Sequence, residues 1–233
     1  MVTSVVMNWS SGKDAAMAYR LLSTGGRYKV RHLLTTMSEE HNRVFMHGVS
    51  EQLLDMQAQR VGLPLRKVKL PASPDDGIYK AAMQQVLGEM KGNGITAAAF
   101  GDIFLEDLRA YREAQLAQVG MDAVFPLWGK STSDLVCMAE DAGIEAMIVC
   151  VNERCLGPEF LGRRIDRALL ADLPAGVDPC GENGEYHTLV INAPFFSSPI
   201  PVAAGATVYK KYTSPDGAGW DTGFYFLEVN ADI

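Results

Sequence analysis

The sequence predicts an α/β protein, with a doubly wound parallel sheet over residues 1–151 and a smaller, β-rich α+β domain over residues 152–233. Three observations carry that prediction. Apolar runs alternate with helical segments through the first part; a small-residue turn, Ser10-Ser11-Gly12-Lys13-Asp14-Ala15, joins the first strand to the first helix; and from Asn152 onward the rhythm becomes β-rich. At 233 residues and 48% hydrophobic composition, the chain can hold one large domain or two small ones with a proper core.

The elements follow in order. Val2 to Met7 is an apolar strand, and after the turn Met17, Ala18, Leu21 and Leu22 recur at helical spacing until Thr24-Gly25-Gly26 stops the helix. Val30 to Thr36 reads as a strand, Ser50 caps a helix carrying Leu54, Ala58 and Val61, and Gly62 ends it. Leu65 to Leu70 is a strand, and Ser73-Pro74-Asp75-Asp76 starts a helix with Ile78, Ala82, Val86 and Met90 as its apolar stripe. Ile95 to Phe100 is a strand of small residues, Leu105 to Val119 a helix with Leu105, Leu108, Leu116 and Val119 inward, and Met121 to Phe125 a strand. Ser133 to Ala142 reads as a helix, and Ile144 to Val151 as a fully buried strand that completes the alternation. Beyond it come a short helix at Ile165 to Leu170 and strands at His187 to Asn192, Thr207 to Thr213 and Gly223 to Asn230, with a turn at Pro215-Asp216-Gly217.

A parallel sheet of this kind binds ligands beyond the carboxyl ends of its strands. The Ser10 to Ala15 turn lies on that edge, together with Leu34-Thr35-Thr36, Gly101-Asp102-Ile103 and Phe125-Pro126-Leu127-Trp128. The first N–H groups of a helix have no intrahelical acceptor, and the helix dipole adds partial positive charge there, so phosphate binds well. Ser11 and Gly12 are small enough for a polyphosphate to approach, Ser10 offers a hydroxyl, Lys13 a point charge and Asp14 a magnesium ligand. A plain strand-to-helix turn capped by Ser10 would have the same spacing. Gly129-Lys130-Ser131 has the tail of a Walker A loop, but Val124 stands where its leading glycine belongs; Gly92-Asn93-Gly94 closes a helix instead of opening one.

A formal net charge of -7 argues against a nucleic-acid partner. No apolar stretch is long enough for a bilayer span and no secretion signal opens the chain, so a cytoplasmic protein without a membrane partner is expected. The four cysteines form no Cys-x-x-Cys pair and the four histidines show no metal-ligand spacing, so buried free thiols are expected. A second unusual stretch runs from Asp178 to Thr188, DPCGENGEYHT, and packs carboxylates, an amide and an imidazole into one glycine-rich loop. Glu182 and Glu185, with His187 two further on, allow ammonia or phosphate positioning and proton transfer; a tight polar turn is the alternative.

The first hexapeptide resembles the SGGKDS loop of the PP-loop ATP pyrophosphatases, which split ATP between the α- and β-phosphates. Here Ser11 replaces the central glycine and Ala15 the final serine. Taken in order, SSGKDA, GDIFLEDLRAYRE, FPLW and GENGEYHT resemble the diphthine-ammonia ligase family of these enzymes, over nearly the whole chain. The resemblance implies a HUP domain, like those of adenine nucleotide alpha hydrolases, followed by a smaller domain. It also implies ATP and Mg2+ as cofactors, and transfer of ammonia to a carboxylate substrate activated by adenylation; no glutaminase segment with a nucleophilic cysteine is evident, so free ammonium is the expected donor. A homodimer is implied as well.

By the same resemblance Ser10, Ser11, Gly12, Lys13, Asp14, Ala15, Thr35, His47, Gly48, Gly101 and Asp102 contact the nucleotide, with Asp14 on the metal. Arg109, Glu113, Gly181, Glu182, Asn183, Gly184, Glu185 and Thr188 then form the second-substrate site, and Lys13, Asp14, Glu182, Glu185 and His187 carry the chemistry. An ion pair between Arg109 and Glu113 on one helix face is the structural alternative for those two. The better known ligases carry Ser, Tyr and Gln where this chain has Leu105, Asp107 and Leu108. That departure keeps two other readings open: adenylation of a different small metabolite, and a non-catalytic ATP- or AMP-binding regulator.

Overall fold

The computed structural model of the chain describes residues 2–44, 48–212 and 222–232. Strand β1 (Thr3–Asn8) alternates its side chains between two cores, as a strand buried on both faces must. Val5 and Met7 point to one side and Val6 to the other. On either edge β1 pairs in parallel, with β2 (Tyr28–Ser38) and with β5 (Ala97–Ala99). The sheet extends in parallel through β4 (Leu65–Leu70) beside β2 and β6 (Asp122–Val124) beside β5, while β3 (Arg43–Val44) runs antiparallel to the end of β2. The chain therefore winds outward from β1 through β2 to β4, then reverses through β5 to β6, which makes the carboxyl end of β1 the switch point.

Helices cover both faces. On one side α1 (Lys13–Thr24), α2 (Glu51–Val61) and α5 (Thr132–Asp141) supply Met17, Leu54 and Val136 to the larger core. On the other, α3 (Asp76–Gly92) and α4 (Glu106–Val119) supply Val86, Leu87, Met90 and Leu116. The Ser50 cap and the Gly62 stop read from the sequence are present: the Ser50 hydroxyl accepts from the N–H of Leu53 and Gly62 ends α2 at φ 74°; within the expected helix start, the Asp75 carboxylate accepts from the N–H of Ile78 at 2.7 Å. α6 (Arg167–Asp172) lies in the second part.

A second sheet is antiparallel. It contains β7 (Glu145–Asn152), β8 (Tyr186–Asn192), β9 (Val202–Tyr212) and β10 (Thr222–Ala231), in the order β8-β7-β10-β9. The larger core continues into it without a break, through Ile148, Val151 and Leu189.

Several details differ from the sequence reading. β7, expected to complete the parallel alternation, lies in the antiparallel sheet; an unbroken apolar run shows that both faces are buried but does not say which strands flank it. Ile78 is 44% exposed, because a row of residues four apart drifts about 40° around the helix at each step, which carries Ile78 away from the Met83, Val86, Leu87 and Met90 face. In α4 only Leu116 of the four expected residues is buried, and Leu105 is the N-cap rather than a core residue. β9 begins at Val202, five residues before the expected start, and β3 was not foreseen. His47, Thr213 and the turn at Pro215-Asp216-Gly217 lie outside the described residues. Among the described residues no helix is long and apolar enough to cross a membrane.

Candidate functional site

The turn after β1 is built against the second sheet. Ser11 is fully buried with φ 73°, in the left-handed region that favours glycine, and its carbonyl accepts from the N–H of Val190 at 2.9 Å and from Gln57 Nε2 at 3.1 Å. Gln57, itself fully buried, also donates to the Val190 carbonyl at 2.7 Å and accepts from Trp9 Nε1 at 2.8 Å. One amide thus locks α2, the turn and β8 together. A Cβ on Gly12 would stand 3.2 Å from Thr188 Oγ1, so only glycine lets β8 come this close without adjustment. The Thr188 hydroxyl accepts from the N–H of Lys13 at 3.0 Å and thereby caps α1 from the second sheet.

Lys13 is 3% exposed and its side chain turns toward the same neighbour. Its ammonium donates to the Cys180 carbonyl, pairs with Asp14 at 2.9 Å and lies 5.3 Å from the Tyr186 ring centroid. Burial works against the charge, but the Asp14 carboxylate and its other neighbours outweigh that and hold the pKa above the ordinary lysine value. The next two N–H groups, of Asp14 and Ala15, belong to the first turn, where no intrahelical acceptor exists. Both residues line a cleft of about 270 Å³ at the carboxyl ends of β1, β2 and β5.

The rest of that cleft comes from several segments. Ser10 adjoins the helix start, and Thr35 on β2 donates its hydroxyl to the Trp9 carbonyl. Gly101 and Asp102 follow β5; a Cβ on Gly101 would lie 2.8 Å from the Asp14 carbonyl carbon and 3.0 Å from the Ala15 nitrogen, so this glycine is what lets the loop seat on the helix start. Asp102 is paired twice with Arg112 of α4, at 2.8 Å through Nε and 3.1 Å through Nη2, and the guanidinium lies 4.4 Å from the Phe100 ring centroid. Tyr79 of α3 completes that wall.

Glu182 enters from the second part. Its Oε1 accepts from the N–H of Ile103 at 2.7 Å, and its pKa is pushed up to about 7 by burial, with Asp14 and Asp102 adding like charge and the Ile103 bond and Lys13 opposing the rise. The loop that carries it is tied internally. Asp178 accepts from the N–H groups of Cys180 and Glu182, and the buried Glu185 carboxylate accepts from Asp178, from the Asn183 backbone and from the Asn183 amide. Gly181 at φ 69° and Gly184 at φ 86° shape the turns between them.

The structure therefore brings Ser10, Asp14, Ala15, Thr35, Gly101, Asp102 and Glu182 into one cleft. Ser11, Gly12, Lys13 and Thr188 lie behind its wall and hold it; Glu185, Asn183, Gly181 and Gly184 shape the loop that presents Glu182. His187 is half-buried on β8 opposite Cys150, and Gly48 lines a neighbouring cleft. Arg109 and Glu113 pair at 2.8 Å on the outer side of α4, where Arg109 lies 4.6 Å from the Trp128 ring centroid. Arg112, Tyr79, Phe100 and Gln57 were not singled out from the sequence. Arg112 stands three residues past Arg109 on the same helix, and which of the two faces inward depends on a helix phase that the pattern leaves undetermined.

Two family models match the chain: the diphthamide synthase N-terminal domain over residues 2–123 and the diphthamide synthase C-terminal domain over residues 131–218. The chain belongs to the diphthamide synthase family. Its relatives include the diphthine–ammonia ligase of Danio rerio, 26% identical over 186 residues that make up 73% of each chain. That of Homo sapiens is 26% identical over 191 residues, 73% of this chain and 70% of the relative, and that of Bos taurus is 26% identical over 186 residues with the same coverage. The segments that meet in the cleft come from both matched regions, Ser10 to Asp102 from the first and Glu182 from the second.

Proposed function

We propose that this member of the diphthamide synthase family is an ATP-dependent ligase that forms an amide from a carboxylate and ammonia by way of an acyl-adenylate. The relatives named diphthine–ammonia ligase support the reaction class. The observation that carries the reading is one cleft at the sheet's switch point in which a helix N-terminus, the Gly101 loop and a carboxyl that titrates near neutrality meet.

In this reading a carboxylate oxygen of the acceptor attacks the α-phosphorus of ATP, the bond to the β-phosphate breaks, and pyrophosphate leaves against the N–H groups of Asp14 and Ala15. Donors placed where charge develops are worth about 3 kcal/mol each. Ammonia then attacks the acyl carbon, AMP departs, and Glu182 takes the proton released by nitrogen; a pKa of about 7 leaves it half ionised at neutral pH and able to do so. Lys13 fixes the Glu182 loop through the Cys180 carbonyl while it adds positive charge at the helix start. The fully buried Ser11 hydroxyl has no hydrogen-bond partner among the described residues and offers a further donor only if the turn shifts on binding.

Among the described residues no group of three or more His, Cys, Asp or Glu side chains is arranged to hold a metal ion. Asp14 would hold a magnesium ion brought in on the nucleotide. The ion would neutralise phosphate charge. The test is to incubate the protein with ATP, magnesium and 15N-ammonium in a cell extract as the source of carboxylates. AMP and pyrophosphate in equal amounts, with 15N in a new amide, are expected; Glu182→Gln should lower the rate about 100-fold. No pyrophosphate under any acceptor, with nucleotide still bound, would establish a regulator instead.

A further inference from the structure

The nucleotide cleft has a neighbour. Val44, the last residue of β3, lines that cleft and also a larger one of about 770 Å³. The second cleft lies between the two sheets, with β2 and β3 on one side and β9 and β10 on the other. Its charge is opposite in sign to that of the chain: among the described lining residues Arg43 and Lys210 stand with a single carboxylate, Glu228, in a protein of formal net charge -7. Potential of one sign concentrated in a concave site draws ligands of the other sign.

The cations are built into the wall. Arg43 Nη1 donates to the Gly48 carbonyl at 2.7 Å and its guanidinium stands 3.7 Å from Glu228, yet its side chain keeps 39% of its surface open. Gly48 has φ 68°, and a Cβ there would stand 3.0 Å from the Phe226 ring, so the backbone that orients Arg43 rests directly on β10. Across the cleft the Lys210 ammonium lies 5.7 Å from the Phe226 ring centroid, which leaves an aromatic floor beneath two cationic flanks.

We propose that this second cleft receives the distal part of the acceptor, and that the acceptor is polyanionic. One carboxylate passes Val44 to reach the nucleotide, further carboxylate or phosphate groups pair with Arg43 and Lys210, and an apolar portion rests on Phe226. The proposal depends on the ligase reading for the word acceptor, while the site itself stands on geometry and charge. A guanidinium held in a fixed orientation is suited to such groups, and an acceptor carrying a quaternary ammonium would meet repulsion here.

Calorimetric titration of the full chain with benzene-1,3,5-tricarboxylate tests it, with and without adenosine 5′-(α,β-methylene)triphosphate. The tricarboxylate should bind about tenfold or more tightly than benzoate, keep that affinity with nucleotide present, and weaken as salt rises. Lys210→Gln and Arg43→Gln should each weaken it severalfold and leave nucleotide affinity unchanged; Lys210 is exposed, so its variant remains informative if the Arg43 variant folds poorly. Equal binding of benzoate, tighter binding of 4-(trimethylammonio)benzoate, displacement by the nucleotide analogue, or indifference to both substitutions would each overturn the proposal. If the analogue itself fails to bind while the tricarboxylate behaves as expected, the ligase reading falls and the polyanion site remains.

Discussion

Ser11 stands where the loop that this turn resembles has glycine, and the structure shows the cost. A non-glycine residue held at φ 73° is strained by about 1 kcal/mol or more, and its hydroxyl is buried besides. Ser11→Gly should therefore raise stability by about 1 kcal/mol, read as a higher denaturation midpoint. Gln57 offers the opposite test. Its replacement by Leu strands the Trp9 N–H and the Val190 carbonyl, so a loss of about 3 kcal/mol is expected in chemical denaturation.

Glu182 links stability to pH. Its folded pKa of about 7 exceeds the ordinary 4.5, so between those values the folded state binds more proton than the unfolded state. Stability then falls as pH rises through that window, and Glu182→Gln should flatten the slope. The turnover of the native protein should rise toward and past pH 7 as the base ionises, a limb the variant lacks.

At the scale of the element, α1 is the part whose role was most legible. The small residues after β1, the periodic Met17 and Leu21, and the glycines at its end were enough to place a strand, an exposed helix start and a ligand edge, and the Gly101-Asp102 and Thr35 segments do meet it there. What could not be read was the long-range partner of each group. Nothing local announces that Thr188 would cap α1 or that Gln57 would join three elements, because such bonds span 175 and 46 to 133 residues. For the same reason the sequence does not say that Glu185 ties the loop while Glu182 lines the cleft, since both are the same carboxylate. Gly101→Ala tests the seat between the loop and α1: its new methyl would press on the Asp14 backbone, and nucleotide affinity should drop about tenfold or more while the fold survives.

Across the whole molecule, the expectation of an α/β fold with a smaller second part holds, but the second sheet takes β7 from the run that looked like a sixth parallel strand. One apolar core passes from β1 and α1 through β7 to β8, and the cleft at the carboxyl end of β1 takes Glu182 from beyond it. The two parts should consequently unfold together. Calorimetry should give one transition with matching calorimetric and van't Hoff enthalpies, where two independent domains would give two.

The cap that Thr188 places on α1 has a consequence for how occupancy can be observed. A ligand that draws on the helix start loads β8 as well, since the Lys13 amide and ammonium both end on that side. Deuterium uptake along Tyr186–Asn192 should slow when ATP is added, so a strand that lines no part of the cleft becomes its reporter.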